Sequence, residues 1–151
     1  MPDATVTLRP YVAADETAAI ELWRRTWQAT YPAIDFAARL DWWRVRWRTE
    51  LVPNATVIVA ESTGTLVGFV TLNPANGDLD QIVVAPEAWG GGVAERLLNE
   101  AKRLAPAGVE LRVNADNIRA IRFYRKHGFT VVRDDVNPRS GAAVHVMRWQ
   151  P

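Results

Sequence analysis

DLDQIVVAPEAWGGGVAERLL, residues 78–98, joins a strand, a tight turn and a helix within one short segment. Leu79 to Val84 reads as a short apolar strand. Pro86 ends it, because proline lacks the N–H that a sheet ladder needs. The run Gly90, Gly91, Gly92 lets the backbone turn sharply and leaves its N–H groups uncovered by side chains. A helix follows at once, with Val93, Leu97, Leu98, Ala101 and Leu104 on one face. Unpaired N–H groups and the positive end of a helix dipole therefore converge just after a buried strand. That arrangement binds anions, most often phosphate. Taken by itself, the glycine run also reads as a plain strand-to-helix turn. No Gly-Lys-Ser/Thr follows, which excludes a nucleotide P-loop, and Glu95 stands where a dinucleotide fingerprint needs its third glycine.

Upstream of this segment, Thr56 to Glu61 and Leu66 to Leu72 are β-rich runs joined by Ser62-Thr63-Gly64-Thr65, the pattern of an antiparallel hairpin. Thr5 to Pro10 alternates Val6 and Leu8 with polar neighbours and reads as a first strand. Between them lie two helices. Asp15 is placed to cap one whose face carries Ala19, Ile20, Trp23 and Trp27, and Tyr31-Pro32 interrupts it. Asp35 is placed to cap the other, where Phe36, Leu40, Trp43, Trp47 and Leu51 recur at spacings of four, three, four and four. These two helices hold five of the seven tryptophans, so the stripe reads as core; Trp42 falls off it and lines a cleft, meets a second copy of the chain, or is simply half-buried. Six arginines over residues 15–50 meet six acids, which reads as a solvated face rather than a polyanion site.

Downstream, Val109 to Val113 alternates as a half-buried strand, so strand, helix and strand form one right-handed parallel βαβ crossover. Asn117 caps a helix from Ile118 to His127, which Gly128 ends. Phe129 to Arg133 and Ala143 to Trp149 are the last strands. The expected order is β-α-α-β-β-β-α-β-α-β-β, one α/β domain over residues 1–151 with a mixed sheet.

Composition narrows the function. A chain of 151 residues buries about 70% of its unfolded surface and supports a core without staples. No cysteine is present, which removes disulfides and a thiol nucleophile and fits a reducing compartment. With only two histidines, no metal is expected. A formal charge of +1 argues against nucleic acid as partner. No signal peptide is read at Met1, and no apolar run approaches membrane-spanning length, so a cytoplasmic protein without a membrane partner is expected.

Two segments together resemble one family. VVAPEAWGGGVAERLL is similar to the acyl-CoA-binding signature of the GNAT acetyltransferase superfamily, a strand ending in V-x-P followed by Q/R-x-x-G-x-G/A and a helix. NADNIRAIRFYRKHGF resembles that superfamily's later N-x-x-A-x-x-F-Y-x-K-x-G-F segment. The order of elements matches over nearly the whole chain. The resemblance implies a GNAT-like fold of about seven strands and four helices, with acetyl-CoA as acyl-donor co-substrate. Trp89 departs from the pattern, standing where the family carries Gln or Arg.

By that resemblance, Trp89, Gly90, Gly91, Gly92, Val93 and Ala94 hold the pyrophosphate, while Val83 and Val84 offer backbone groups to the pantetheine arm. An N–H near Val84 is also placed for the oxyanion of a tetrahedral intermediate. Tyr124 matches the family tyrosine beside the CoA sulfur and would protonate the departing thiolate; as a plain residue it is a core aromatic beside Phe123. Asn117 adds a contact to the CoA arm to its capping role. Arg125 or Lys126 meets the 3′-phosphate or belongs to a solvated basic face. For the base, Asp78 stands where many members carry a strand-borne glutamate, Asp80 shares its face by the two-residue period, and His145 on the last strand is a third candidate.

The reaction implied is direct attack of a primary amine, from a small molecule or a protein, on an acetyl thioester. A non-catalytic acyl-CoA-binding regulatory domain is the alternative, and an interaction module built on the tryptophan-rich helices, with a homodimer as one form, is a third.

Overall fold

The structure, a computed structural model, describes residues 5–151. Residues 1–4, which include the Met1 end where a leader was sought, lie outside the described residues. In chain order the strands are β1 (Val6–Pro10), β2 (Thr56–Ser62), β3 (Thr65–Asn73), β4 (Asp78–Val84), β5 (Val109–Asn114), β6 (Thr130–Val136) and β7 (Ala143–Trp149). They form one sheet in the order β1-β2-β3-β4-β5-β7-β6. Every junction is antiparallel except β4–β5, which is parallel and pairs only Asp78 with Glu110 and Leu79 with Leu111.

Four helices cover the sheet: α1 (Glu16–Thr30), α2 (Leu40–Arg46), α3 (Val93–Leu104) and α4 (Ile118–Lys126). α2 runs on through a π-helical turn (Trp47–Leu51) into a last turn (Val52–Asn54). The four-residue spacings of Trp43, Trp47 and Leu51 explain the π turn. In an α-helix each such step drifts by roughly 40°, and one wider turn cancels the drift. All three side chains stay buried as a result.

Strand alternation separates two layers. On one face of β3, Phe69 meets Trp47 edge-on at 5.3 Å between ring centroids. Trp43 stacks on Trp23 at 4.5 Å, joining α2 to α1. On the other face, a Cβ at Gly68 would stand 3.1 Å from Leu97 Cδ1 and 3.3 Å from Val93 Cγ1, so the missing side chain is what lets α3 lie against β3. A Schellman closure ends α4, with Phe129 N–H donating to Tyr124 O at 3.0 Å and Gly128 N–H to Arg125 O at 3.1 Å. Phe129 is thereby drawn into the core, which moves the start of β6 from the expected Phe129 to Thr130.

Asp15 does not cap α1 through its side chain. Its carboxylate accepts from Val12 N–H at 2.9 Å and from both terminal nitrogens of Arg9 at 2.8 Å. Fixing the first strand to the first helix outcompetes the cap. The Arg9 bonds hold the Asp15 carboxyl below its ordinary range despite its burial. A depressed pKa contributes stability that is complete above the unfolded value of about 3.9 and is lost as pH falls through the folded one. Unfolding free energy should therefore drop below about pH 4, and in Asp15→Asn this part of the drop should vanish. Urea titrations at pH 7 and pH 3 on both proteins check it; identical pH dependence would refute the assignment.

Candidate active site

Because β4 and β5 part after two residue pairs, a cleft opens along the C-terminal half of β4. A bulge assists the divergence: Leu72 faces Leu79 and Thr71 faces Gln81, leaving Asp80 as the extra residue. The open cleft has a volume of about 1980 Å³ and is walled by α1, α2, β4, the glycine turn, β5 and α4.

Val84 supplies the backbone polarity of its inner edge. Ala85 N–H donates to Val67 O at 2.8 Å, which marks Val67–Ala85 as a hydrogen-bonded pair. Val84, one residue earlier and opposite Gly68, therefore turns its N–H and carbonyl away from β3 toward the cleft. The carbonyl is already occupied. It accepts from Trp89 Nε1 at 2.8 Å and from Thr26 Oγ1 at 3.3 Å. Trp89, the residue that departs from the family pattern, thus folds back onto the strand, while the Arg119 guanidinium lies 4.1 Å from its ring centre. Val83, opposite Phe69, falls by the same alternation in a hydrogen-bonded pair, so its N–H and carbonyl face β3 rather than the cleft, and its side chain is buried.

At the cleft's end, Gly90 and Gly92 take φ of +81° and +87°, values that cost any residue with a Cβ. Among the described residues neither donates its N–H to a backbone partner. Val93 and Ala94 open α3, whose first turn has no helical carbonyl for its N–H groups. Gly91 N–H is spent on Ala88 O at 3.2 Å, and Gly91 does not line the cleft.

The opposite wall is α4. Asn117 caps it, accepting from Ala120 N–H at 3.3 Å. Tyr124 lines the cleft with its ring buried between Phe123 and Phe129. Burial pushes its hydroxyl well above the ordinary value, so it stays protonated. Lys126 lines the cleft from the last turn, whereas Arg125 does not.

The three candidate bases are placed differently from expectation. Asp78 does not line the cleft; it sits half-buried at the start of β4, its carboxyl pushed up by burial and then by the charge of Asp80. His145 is outside the cleft as well, with Nδ1 2.7 Å from Asp134 Oδ1 across the β6–β7 pair. Asp80 does line the cleft, but Arg46 binds it through both terminal nitrogens at 2.8 and 2.6 Å, and Gln81 Nε2 adds a third bond at 3.2 Å. Of about four acceptor positions on a carboxylate, one on Oδ1 remains.

Sequence reasoning passed over Arg46, Gln81, Tyr31 and Arg119. Tyr31 donates to Asp116 Oδ1 at 2.8 Å and accepts from Asn114 Nδ2 at 3.1 Å, tying the end of α1 to the turn after β5 across the cleft. Arg46 was one of a cluster whose balanced charge hid its inward direction. Among the described residues no cluster of His, Asp or Glu side chains forms a metal site, and no helix is long and apolar enough to cross a membrane.

This architecture recurs in known proteins. The solved complex of PaiA N-acetyltransferase from Thermoplasma acidophilum with coenzyme A superposes with a TM-score of 0.76 at 22% identity, covering 97% of this chain and 99% of that one. The solution structure of apo YjaB from Escherichia coli gives 0.78 at 24% identity, over 95% and 97%. In sequence, the peptidyl-lysine N-acetyltransferase YjaB of Salmonella typhimurium is 32% identical over 113 residues, 74% of each chain. The mycothiol acetyltransferase of Saccharomonospora viridis is 31% identical over 91% of this chain, which spans only 50% of that protein. Residues 17–129, which run from α1 to the end of the α4 closure and so take in the β4–β5 parting, the glycine turn and α4, match the profile of the Acetyltransferase (GNAT) family, and the chain belongs to that family.

Proposed function

We propose that the protein transfers an acetyl group from acetyl-CoA to a primary amine by direct attack through a tetrahedral intermediate. The observation that carries this reading is the parting of β4 from β5, which turns the Val84 N–H and the free N–H groups of the glycine turn toward one cleft. The N–H groups of Gly90, Gly92, Val93 and Ala94, with the α3 dipole, suit the pyrophosphate. The Val84 N–H is placed to receive the oxyanion. A thioester needs no further activation, so the absence of cysteine is no obstacle.

Tyr124 is the proton source for the departing thiolate. Burial makes it a weaker acid, but the same surroundings disfavour a free thiolate, which shifts the thiol in the same direction. Asp80 takes the amine proton through its remaining acceptor position, directly or through water. Arg46 and Gln81 occupy its other acceptor positions, so its contribution is mainly to orient the amine. That engagement of Asp80 is also what favours the second reading, a non-catalytic acyl-CoA-binding domain. Release of free thiol from acetyl-CoA with a panel of amines separates the two: binding without release would leave only the second. The lack of cysteine supports work in the reducing cytoplasm.

Gly92→Val tests the loop. The φ of +87° is a strained conformation for valine, and its side chain would cover the N–H groups facing the phosphates. Acetyl-CoA affinity should fall by about tenfold or more, each factor of ten being about 1.4 kcal/mol. Unchanged affinity by calorimetry in a folded variant would remove the loop from the binding site.

A further inference from the structure

The cleft carries more cations than it uses, and they fall into two groups. Its acids are all engaged. Asp80 is held by Arg46, Asp116 by Tyr31, Glu95 lies 3.7 Å from His127, and Asp135 lies 3.8 Å from Arg112. Four cleft-lining cations have no carboxylate partner among the described residues: Arg119 and Lys126 on α4, and Arg39 and Arg139 at the other end. The α4 pair flanks the wall assigned above to the CoA phosphates. The second pair is left over from that assignment.

Arg139 lies on Trp42, and Arg39 lies on Phe36, each an aromatic of the same cleft. Arg39 ends the short turn (Ala37–Arg39) before α2, and its guanidinium lies 5.1 Å from the Phe36 ring centre. Arg139 comes from the β6–β7 loop and lies 4.8 Å from the Trp42 ring centre. Trp42 is 42% exposed, the surface of a large aromatic with one cation on it. The Trp42–Arg139 contact spans from α2 to the β6–β7 loop, and the Tyr31 bonds span from α1 to the turn after β5. Both ties narrow this end, which suits a small acceptor rather than a folded protein surface.

We propose that the acceptor is a small amine bearing a carboxylate, and that Arg139 on Trp42 and Arg39 on Phe36 bind the carboxylate while the amine reaches toward Asp80. The proposal rests on the acetyl-transfer reading and names the acceptor class for that same site. Planar guanidinium groups match a carboxylate in geometry as well as charge.

Matched pairs test it. Lysine is compared with 1,5-diaminopentane, and ornithine with 1,4-diaminobutane, by thiol release from saturating acetyl-CoA; a neutral peptide with one lysine is the third arm. The carboxylate-bearing member of each pair should show kcat/KM at least about tenfold higher, and its KM should rise with salt. In Arg39→Gln/Arg139→Gln the ratio within each pair should fall toward one. Diamines or the peptide reacting as well as the amino acids would overturn the proposal while leaving acetyl transfer intact. So would a preference that survives in the double variant. No thiol release with any amine would remove the acetyl-transfer reading and this one with it.

Discussion

Tyr124→Phe is expected to lower kcat by about 10²- to 10⁴-fold, the usual worth of general acid catalysis, with little change in KM for acetyl-CoA. The substitution removes one oxygen and keeps a ring whose centre lies 5.5 Å from Phe123 and 5.7 Å from Phe129, so the packing of α4 should hold. The hydroxyl stands in the cleft wall, and its pKa is raised by burial. It is therefore protonated throughout the neutral range, and any alkaline limb that belongs to Tyr124 lies above about pH 10. Single-turnover kinetics with an accepted amine isolate the chemical step. A Phe variant with the wild-type single-turnover rate would leave Tyr124 as a packing residue and return the thiolate to solvent for its proton.

Trp47→Ala should cost about 3–5 kcal/mol of unfolding free energy, the range for removing a large buried aromatic. Trp47 is fully buried, meets Phe69 and Tyr11 edge-on, and donates from Nε1 to Tyr11 Oη at 3.1 Å. The change would open a void between α2 and β3 and leave the Tyr11 hydroxyl without that donor. Urea unfolding followed by fluorescence of the other tryptophans measures it. A loss below about 1 kcal/mol would mean that the π turn collapses into the space and that the packing of α2 on β3 is not rigid.

The seven strands, the four helices and the single parallel junction were legible because periodicity and turn chemistry are local. Leu79 to Val84, Pro86 and the glycines say strand, stop and turn without reference to anything distant. Asn117 as a cap and Gly128 as a stop are local in the same sense, and both hold. The site was less legible wherever a side chain chose a distant partner. The two-residue rule that put Asp78 and Asp80 on one face takes no account of a bulge at Asp80, which depends on the register of β3. Arg46 lies 34 residues before Asp80 in the chain, and no spacing rule links them. Trp89 was legible as a departure from the family pattern; its bond to Val84 O was not, because a tryptophan in a turn carries no mark of which carbonyl it will meet.

The narrow β4–β5 junction has a mechanical consequence. Two residue pairs are the whole of the ladder between a four-stranded half and a three-stranded half. The sheet thus has an interior edge, a row of backbone groups without a neighbouring chain, shielded from aggregation only because helices wall it on either side. The pantetheine arm of acetyl-CoA, itself a chain of amides, has the chemistry to lie along that edge as a surrogate strand. A donor that does so is part of the scaffold while it is bound. With acetyl-CoA as the proposed donor, the protein's resistance to unfolding would rise with donor concentration, by RT ln(1 + [L]/Kd), and the ligand would set how firmly the two halves are joined.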